Sequence, residues 1–350
     1  MLAAANSLPY NRLHAIGRLA MEVRNVTPRL VLLAACGVIV AWVASTAAQA
    51  GPSSDDSILR GTFELGGQRA EQVQYFIMES RFVNYALDGT RTGQRTYGLW
   101  LKCVPAQVAG DPGDQYTCAR FVVSTDDSME TAIPALQGWT YGFVAMPTGM
   151  DDKGQVFGID HGKFEGLVDG DGKPLSQDVA YLIYNTFIDF HSFCDVFARK
   201  TPSGKGIQDL TRIGQTLVHE AAFSQPPVNL GSNVEQGSFF KNGEITLTLK
   251  GLSLVDDTPC ALVGFDSGES SFKMIMKLAP DTEIQTTGSS HYSGDIYVDL
   301  ASNWVRRVVM GEYVVAQIAL PFPPDRVNSI TERSTAIRNV SEEEFTEHLK

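Results

Sequence analysis

Ile245-Thr246-Leu247-Thr248-Leu249-Lys250 alternates apolar and polar side chains with a period of two. Phe272-Lys273-Met274-Ile275-Met276-Lys277-Leu278 and Ile296-Tyr297-Val298-Asp299-Leu300 carry a similar pattern. Successive side chains of a strand point to opposite faces, so each stretch reads as a half-buried antiparallel strand with one apolar face. Turn clusters at Asp256-Asp257, Gly288-Ser289-Ser290 and Ala301-Ser302-Asn303 separate them, and Trp304 to Leu320 adds one long or bent strand.

Upstream, Val73 to Leu87 is rich in aromatic and branched residues and ends at Asp88-Gly89. Together with strands over 96–104 and 115–124, joined through Gly110-Asp111-Pro112-Gly113-Asp114, it predicts a three-stranded meander. Shorter strands are expected at 139–146 and 155–168, with Asp169-Gly170-Asp171-Gly172 turning a further hairpin. The period then changes. From Ser176 onward, Val179, Leu182, Ile183, Phe187, Phe190, Phe193, Val196 and Phe197 recur at three- and four-residue steps until Thr201-Pro202-Ser203-Gly204. That spacing predicts an aromatic-rich core helix capped by Ser176. Ser341 and Glu344 form a capping-box pattern ahead of Phe345 and Leu349, the sign of a short C-terminal helix. The expected class is α+β and β-rich: curved antiparallel sheet wrapped around one aromatic helix, with a short helix at the C-terminus. After a flexible lead-in over 51–72, the chain divides into a meander over 73–175 and a helix-plus-sheet part over 176–350, as two domains or one.

The antiparallel strands and their aliphatic and aromatic face resemble the half-barrel of the bacterial lipoprotein-carrier family over residues 60–320. The likeness is one of pattern, with no motif residue carried over. Residues 261–315 also resemble uncharacterised secreted bacterial proteins. A half-barrel implies a concave apolar face, so Met274, Met276, Val298 and Leu300, converging with Phe187 and Phe190 of the helix, are the candidate walls of an apolar ligand site.

Composition sets the class of partner. The 350 residues hold 28 Lys plus Arg against 40 Asp plus Glu, a net charge of −12. That balance argues against nucleic acid, whose phosphates call for clustered positive charge. Leu30 to Ala50 carries no charged residue, follows Arg24 and Arg29, and ends Ala48-Gln49-Ala50 before Gly51-Pro52. This is a signal-peptide pattern over 1–50, with translation starting at Met1 or Met21 and cleavage after Ala50 delivering an extracytoplasmic protein, periplasmic or secreted. Two rival readings bring membrane contact: the uncut stretch as an anchor, or Leu33-Ala34-Ala35-Cys36 as a lipobox lipidated at Cys36. Outside the leader stand Cys103, Cys118, Cys194 and Cys260. An even number in an exported chain predicts two disulfides: Cys103–Cys118 across the hairpin and, by elimination, Cys194–Cys260.

Catalytic patterns are sparse. Leu262-Val263-Gly264-Phe265-Asp266-Ser267-Gly268 resembles the active-site loop of aspartic peptidases, in which two aspartates share a proton and activate water. Glu269 departs from that pattern, no second element follows, and a tight turn between two strands accounts for the same residues. Asp169-Gly170-Asp171 begins like a calcium loop, but Lys173 replaces the third ligand and Ala180 stands where the closing Glu belongs. His191 and Cys194 are helical neighbours and a conceivable nucleophile pair, but export favours a bridged Cys194. No metal or cofactor is expected. The sequence points to an exported, non-catalytic binding, carrier or envelope-associated protein whose partner is an apolar small molecule or an envelope protein. The alternative is a secreted aspartic-type peptidase using Asp266.

Overall fold

A computed structural model describes residues 61–66, 69–108, 111–126, 129–144, 159–198, 205–228, 230, 234–279 and 282–350. The leader, with its cleavage site and Cys36, lies outside these residues. Fourteen strands are described: β1 Gln74–Tyr85, β2 Arg91–Val108, β3 Asp111–Thr125, β4 Thr131–Ala132, β5 Trp139–Phe143, β6 Thr216–Glu220, β7 Phe223–Gln225, β8 Phe239–Asn242, β9 Ile245–Val255, β10 Thr258–Asp266, β11 Ser270–Ala279, β12 Thr282–Asp299, β13 Val305–Ala319 and β14 Arg326–Val340. Two α-helices accompany them, α1 Gln177–His191 and α2 Glu342–His348.

All fourteen strands join one open antiparallel sheet with the order β4-β3-β2-β1-β14-β13-β12-β10-β9-β6, while β5 adds to β3 and the β11–β8–β7 branch adds to β12. Its inner face wraps α1: Phe76, Leu99, Phe121, Val263, Met274, Val298 and Ile337 share one core with Phe187, Phe190 and Phe193. The stretches that alternate are strands, but Gly288-Ser289-Ser290 is not the expected turn: β12 runs through it, pairing there with both β11 and β13. In β9, Ile245, Leu247 and Leu249 are buried while Thr246 and Thr248 are half-buried. Ser176 holds the N-cap position of α1, as the spacing requires, but its side chain accepts no capping hydrogen bond; the last turn widens into a π-helical segment, Ser192–Val196. Ser341 caps α2, its Oγ accepting the Glu344 N–H at 3.1 Å. Glu344 does not complete the box; its carboxylate takes Arg338 at 2.6 Å.

Several expectations are corrected. The longest omission is β14, which lies between β1 and β13 and ties the N-terminal meander to the C-terminal strands. Its buried positions are Ser329, Thr331, Arg333, Thr335, Ile337, Asn339 and the terminal Val340, so no hydropathy alternation marks it. The strand expected over 155–168 is absent from its described part. Asp160 accepts the Gly162 N–H at 3.0 Å and opens a 3₁₀ turn, His161–Phe164, and Gly166 at φ 63° breaks any extended run. The described part of the lead-in is fastened down: Leu65 is in the core, the Phe63 N–H donates to the Thr211 carbonyl, and the Trp304 indole donates to the Ala70 carbonyl at 2.9 Å.

The disulfides are corrected too: Cys103, Cys118, Cys194 and Cys260 are four buried free thiols. Register explains the first pair. Cys103 faces Tyr116 and Cys118 faces Leu101, with a bulge between Trp100 and Leu101. The two thiols are therefore diagonal neighbours on one face, where Cβ atoms stand roughly 7 Å apart instead of the ~3.8 Å a bridge needs. Alternation explains the second. Ala261, Val263 and Phe265 face the helix, which turns Cys260 away from Cys194. Burial pushes the Cys118 thiol up to about 12 and the Cys260 thiol up to about 11, and drives Cys103 and Cys194 upward as well. A buried neutral thiol is a poor nucleophile. We expect Ellman's reagent to titrate none of the four in the folded protein, and all four after unfolding without reductant. Fewer than four in the unfolded, unreduced chain would reveal a bridge.

Candidate functional site

The aromatic helix carries three aspartates in a run that is otherwise largely apolar, and each meets an arginine from a different segment. Asp178 takes Arg95 of β2 at 2.5 Å, Asp189 takes Arg333 of β14 at 3.1 Å, and Asp195 takes Arg69 at 2.8 Å. The Asp189 and Asp195 side chains are 4% and 0% exposed. Burying an aspartate is costly unless it is paired, so the segments packed on the helix must present a guanidinium wherever it presents a carboxylate.

The densest polar cluster surrounds Asp195. The π-helical widening sets Asp195 four residues beyond His191, and the imidazole Nδ1 donates to its Oδ2 at 2.8 Å. The Tyr116 hydroxyl of β3 donates to Oδ2 at 2.9 Å, and Arg69 donates to Oδ1. Nδ1 then carries the imidazole proton, so Nε2 accepts from the Tyr141 hydroxyl of β5 at 2.8 Å. The His191 ring lies flat on Phe143, 4.5 Å away with 3° between planes. Arg69 also approaches Asp114 at 3.5 Å, donates to the Cys194 carbonyl, and sits 4.3 Å over the Trp304 ring. Burial opposes the Arg69 charge, but Asp195 and Asp114 outweigh it and raise its pKa. Burial, reinforced by Asp195, holds the Tyr116 hydroxyl well above its ordinary value, and burial does the same at Tyr141. Tyr141–His191–Asp195 has the form of a proton relay. Tyr116, His191 and Asp195 are each 0% exposed, while Tyr141 at the outer end is partly buried. The relay fixes the end of the helix to β3 and β5. Both ring nitrogens of His191 are engaged, which leaves none to activate Cys194.

The residues singled out from sequence are placed as follows. Phe187, Phe190, Met274 and Val298 are 0–2% exposed in the core around α1, with Met276 and Leu300 packed against them and partly buried. The helix occupies the concavity those residues were expected to line. A cavity of about 10 Å³ remains under it, lined by Asp189, Ser192, Phe193, Phe240, Tyr292, Glu312 and Arg333. Asp266 ends β10 with its side chain 52% exposed. Its Oδ1 accepts the Gly268 N–H at 2.8 Å, and both oxygens lie 3.1 Å from His291 Nε2. Burial is the largest single influence and opposes the Asp266 charge, but the Gly268 N–H and His291 together prevail and lower its pKa. Proton sharing between two acids needs a second carboxylate at this position, and here the partner is an imidazole. Asp169 caps its turn through the Asp171 and Lys173 N–H groups, at 3.0 and 2.9 Å. Among the described residues no group of three or more His, Cys, Asp or Glu side chains is arranged to hold a metal ion.

Sequence reading passed over Arg69, Tyr116, Tyr141, Asp195, Glu312 and Arg333. One signal was available. Asp189 stands between Phe187 and Phe190, and Asp195 follows Phe193 and Cys194, on a helix whose neighbours are all core. A carboxylate in such company must have a buried partner, although the helix alone does not say which.

No family model matches the chain, and no curated protein matches it. Among solved structures it is similar to a DUF1329 family protein from Desulfovibrio piger, at 10% identity over 80% of this chain and 93% of that one, with a TM-score of 0.14. It is also similar to a mutant porin of Rh. blastica (6% identity, 77% and 100% of the two chains, TM-score 0.15) and to OmpT, an outer membrane protein of Vibrio cholerae (11%, 77% and 99%, TM-score 0.16). At these TM-scores none of the three bears on fold or function. No helix among the described residues is long and apolar enough to cross a membrane.

Proposed function

We propose that this chain is an exported, non-catalytic binding module of the cell envelope that engages a protein partner on its outer surface. The leader pattern before Gly51 supports export. The occupancy of the concave face carries the binding reading: α1 seats Phe187 and Phe190 at 0% exposure against the face that includes Met274 and Val298. Sites for drug-sized ligands run to roughly 300–1,000 Å³. Among the described residues, the cavity under the helix that Asp189, Phe193 and Tyr292 line is about 10 Å³. An acyl chain would have to displace α1 together with three Arg–Asp pairs.

Fluorescent acyl-chain titration tests this reading. A naturally fluorescent fatty acid added to the folded protein at micromolar concentration should show no saturable rise in emission. Saturable one-to-one binding, abolished by Met274→Glu in a variant that keeps its fold, would instead establish an apolar-ligand carrier.

A further inference from the structure

Tyr292, Glu312 and Arg333 stand directly opposite one another on β12, β13 and β14. All three side chains face inward beneath α1 and line the small cavity there. Arg333 Nη2 lies 3.1 Å from Asp189 Oδ2, and its Nε lies 3.2 Å from Glu312 Oε2. The Asp189, Glu312 and Arg333 side chains are 2–4% exposed. Two carboxylates thus share one guanidinium in a sealed space.

The surrounding elements bring no second cation among the described residues. Helix α1 contributes Ser192 and Phe193, β8 contributes Phe240, and β12 contributes Ser290 beside Glu312 and Tyr292 opposite it. Glu220 of β6 interacts with Tyr292 and adds a further acid on that side. Phe82, beneath the Arg333 guanidinium at 5.5 Å, completes the wall. With Asp189 and Glu312 both ionised, the described residues of the cluster hold one negative charge more than Arg333 offsets, in a space that water screens poorly. Isolated buried charges are strongly disfavoured, and carboxyl groups so placed escape by neutralising. The cavity matches roughly one water molecule in size, too small for a hydrated cation.

We propose that the Asp189–Glu312–Arg333 cluster is a proton-binding site of the folded protein, occupied by one proton on Glu312 at neutral pH. Glu312 is the member that takes it because Arg333 Nη2 commits to Asp189, while its contact with Glu312 through Nε lacks hydrogen-bond alignment. Burial, the largest influence, raises the Glu312 pKa against the pull of Arg333. The linkage has a definite sign. The unfolded Glu ionises near ~4.3, and the folded one at higher pH, so between those values the native state holds a proton that the unfolded state has lost. Stability from this group is complete below the unfolded value and falls as pH rises through the folded one.

Thermal melts of the wild type and Glu312→Gln across pH 5–8 test the proposal, because the amide is a permanent stand-in for the neutral acid. The wild-type Tm should fall by about 2–4 °C more than that of the variant for each pH unit crossed below the folded pKa. By pH 8 the variant should be at least as stable as the wild type. Infrared spectra of the wild type alone should show a neutral, buried carboxyl band at pH 7, a reading that survives if the variant fails to fold. The proposal is overturned if that band is absent, or if Glu312→Gln is less stable at every pH with an unchanged slope. It is equally overturned if replacing choline by sodium at pH 8 raises the wild-type Tm but not the variant's, since the positive charge would then be a metal ion.

Discussion

Arg69→Met is expected to cost about 3–5 kcal/mol of stability, because removing one partner of a buried ion pair strands the other. Here it would strand Asp195, 0% exposed and joined to His191 and Tyr116, with Asp114 3.5 Å from the lost guanidinium. The same change removes the arginine from the face of Trp304 and frees the Cys194 carbonyl. Urea unfolding reads the loss directly. The double variant Arg69→Met/Asp195→Asn should recover part of it, since an amide oxygen can still accept from Tyr116 and His191 while the buried charge is gone. A coupling energy of about 1–3 kcal/mol between the two sites is expected. Additive losses would show that the pair is not the interaction fastening the lead-in to the helix.

Phe187→Ala should be comparably damaging, at about 3–5 kcal/mol, because it empties the middle of the aromatic lattice. Phe187 stacks on Phe121 at 5.7 Å and meets Phe164 at 5.4 Å, Trp139 at 5.5 Å and Tyr141 at 6.1 Å. These contacts join α1 to β3, β5 and the 3₁₀ turn, so no single neighbour can move in to close the gap. Phe187→Leu keeps most of the volume and should lose well under half as much. The comparison by chemical denaturation also bears on the binding reading. A Phe187→Ala protein that stays folded, loses little stability and gains saturable acyl-chain binding would show that the helix only loosely occupies a ligand site.

The locally coded parts of the molecule were legible in the sequence. Alternation in β9, β11 and β12 identifies strands because one face of each meets an apolar core, and a period of two is the only backbone repeat that delivers such a face. The three- and four-residue recurrence after Ser176 identifies α1 for the same reason, and Ser341 identifies α2 by supplying an acceptor for an N–H that would otherwise lack one.

Only the tertiary structure could supply β14 and the polar wiring of α1. Ile337 apart, the inward side chains of β14 are polar, and four of them find partners on other elements. Thr335 bonds Ser80 at 2.8 Å, Thr331 bonds Asn84 at 2.7 Å, Asn339 bonds Gln74 at 2.7 Å, and Arg333 pairs with Asp189 and Glu312. Hydropathy periodicity registers the transfer of a side chain out of water, which for an apolar group is favourable whatever lies opposite. For a polar group the same transfer is favourable only when a specific partner is present. The pairing of Cys103 with Tyr116 in place of Cys118 is set by where the hairpin turns: Val108 pairs with Asp111, and the register runs unbroken from there to Leu101–Cys118, one residue short of the centring that would face the two thiols. Chain-local chemistry therefore determined most of the strands and both described helices, while contacts between residues on separate elements, up to 144 positions apart, decided which of its charges could be buried.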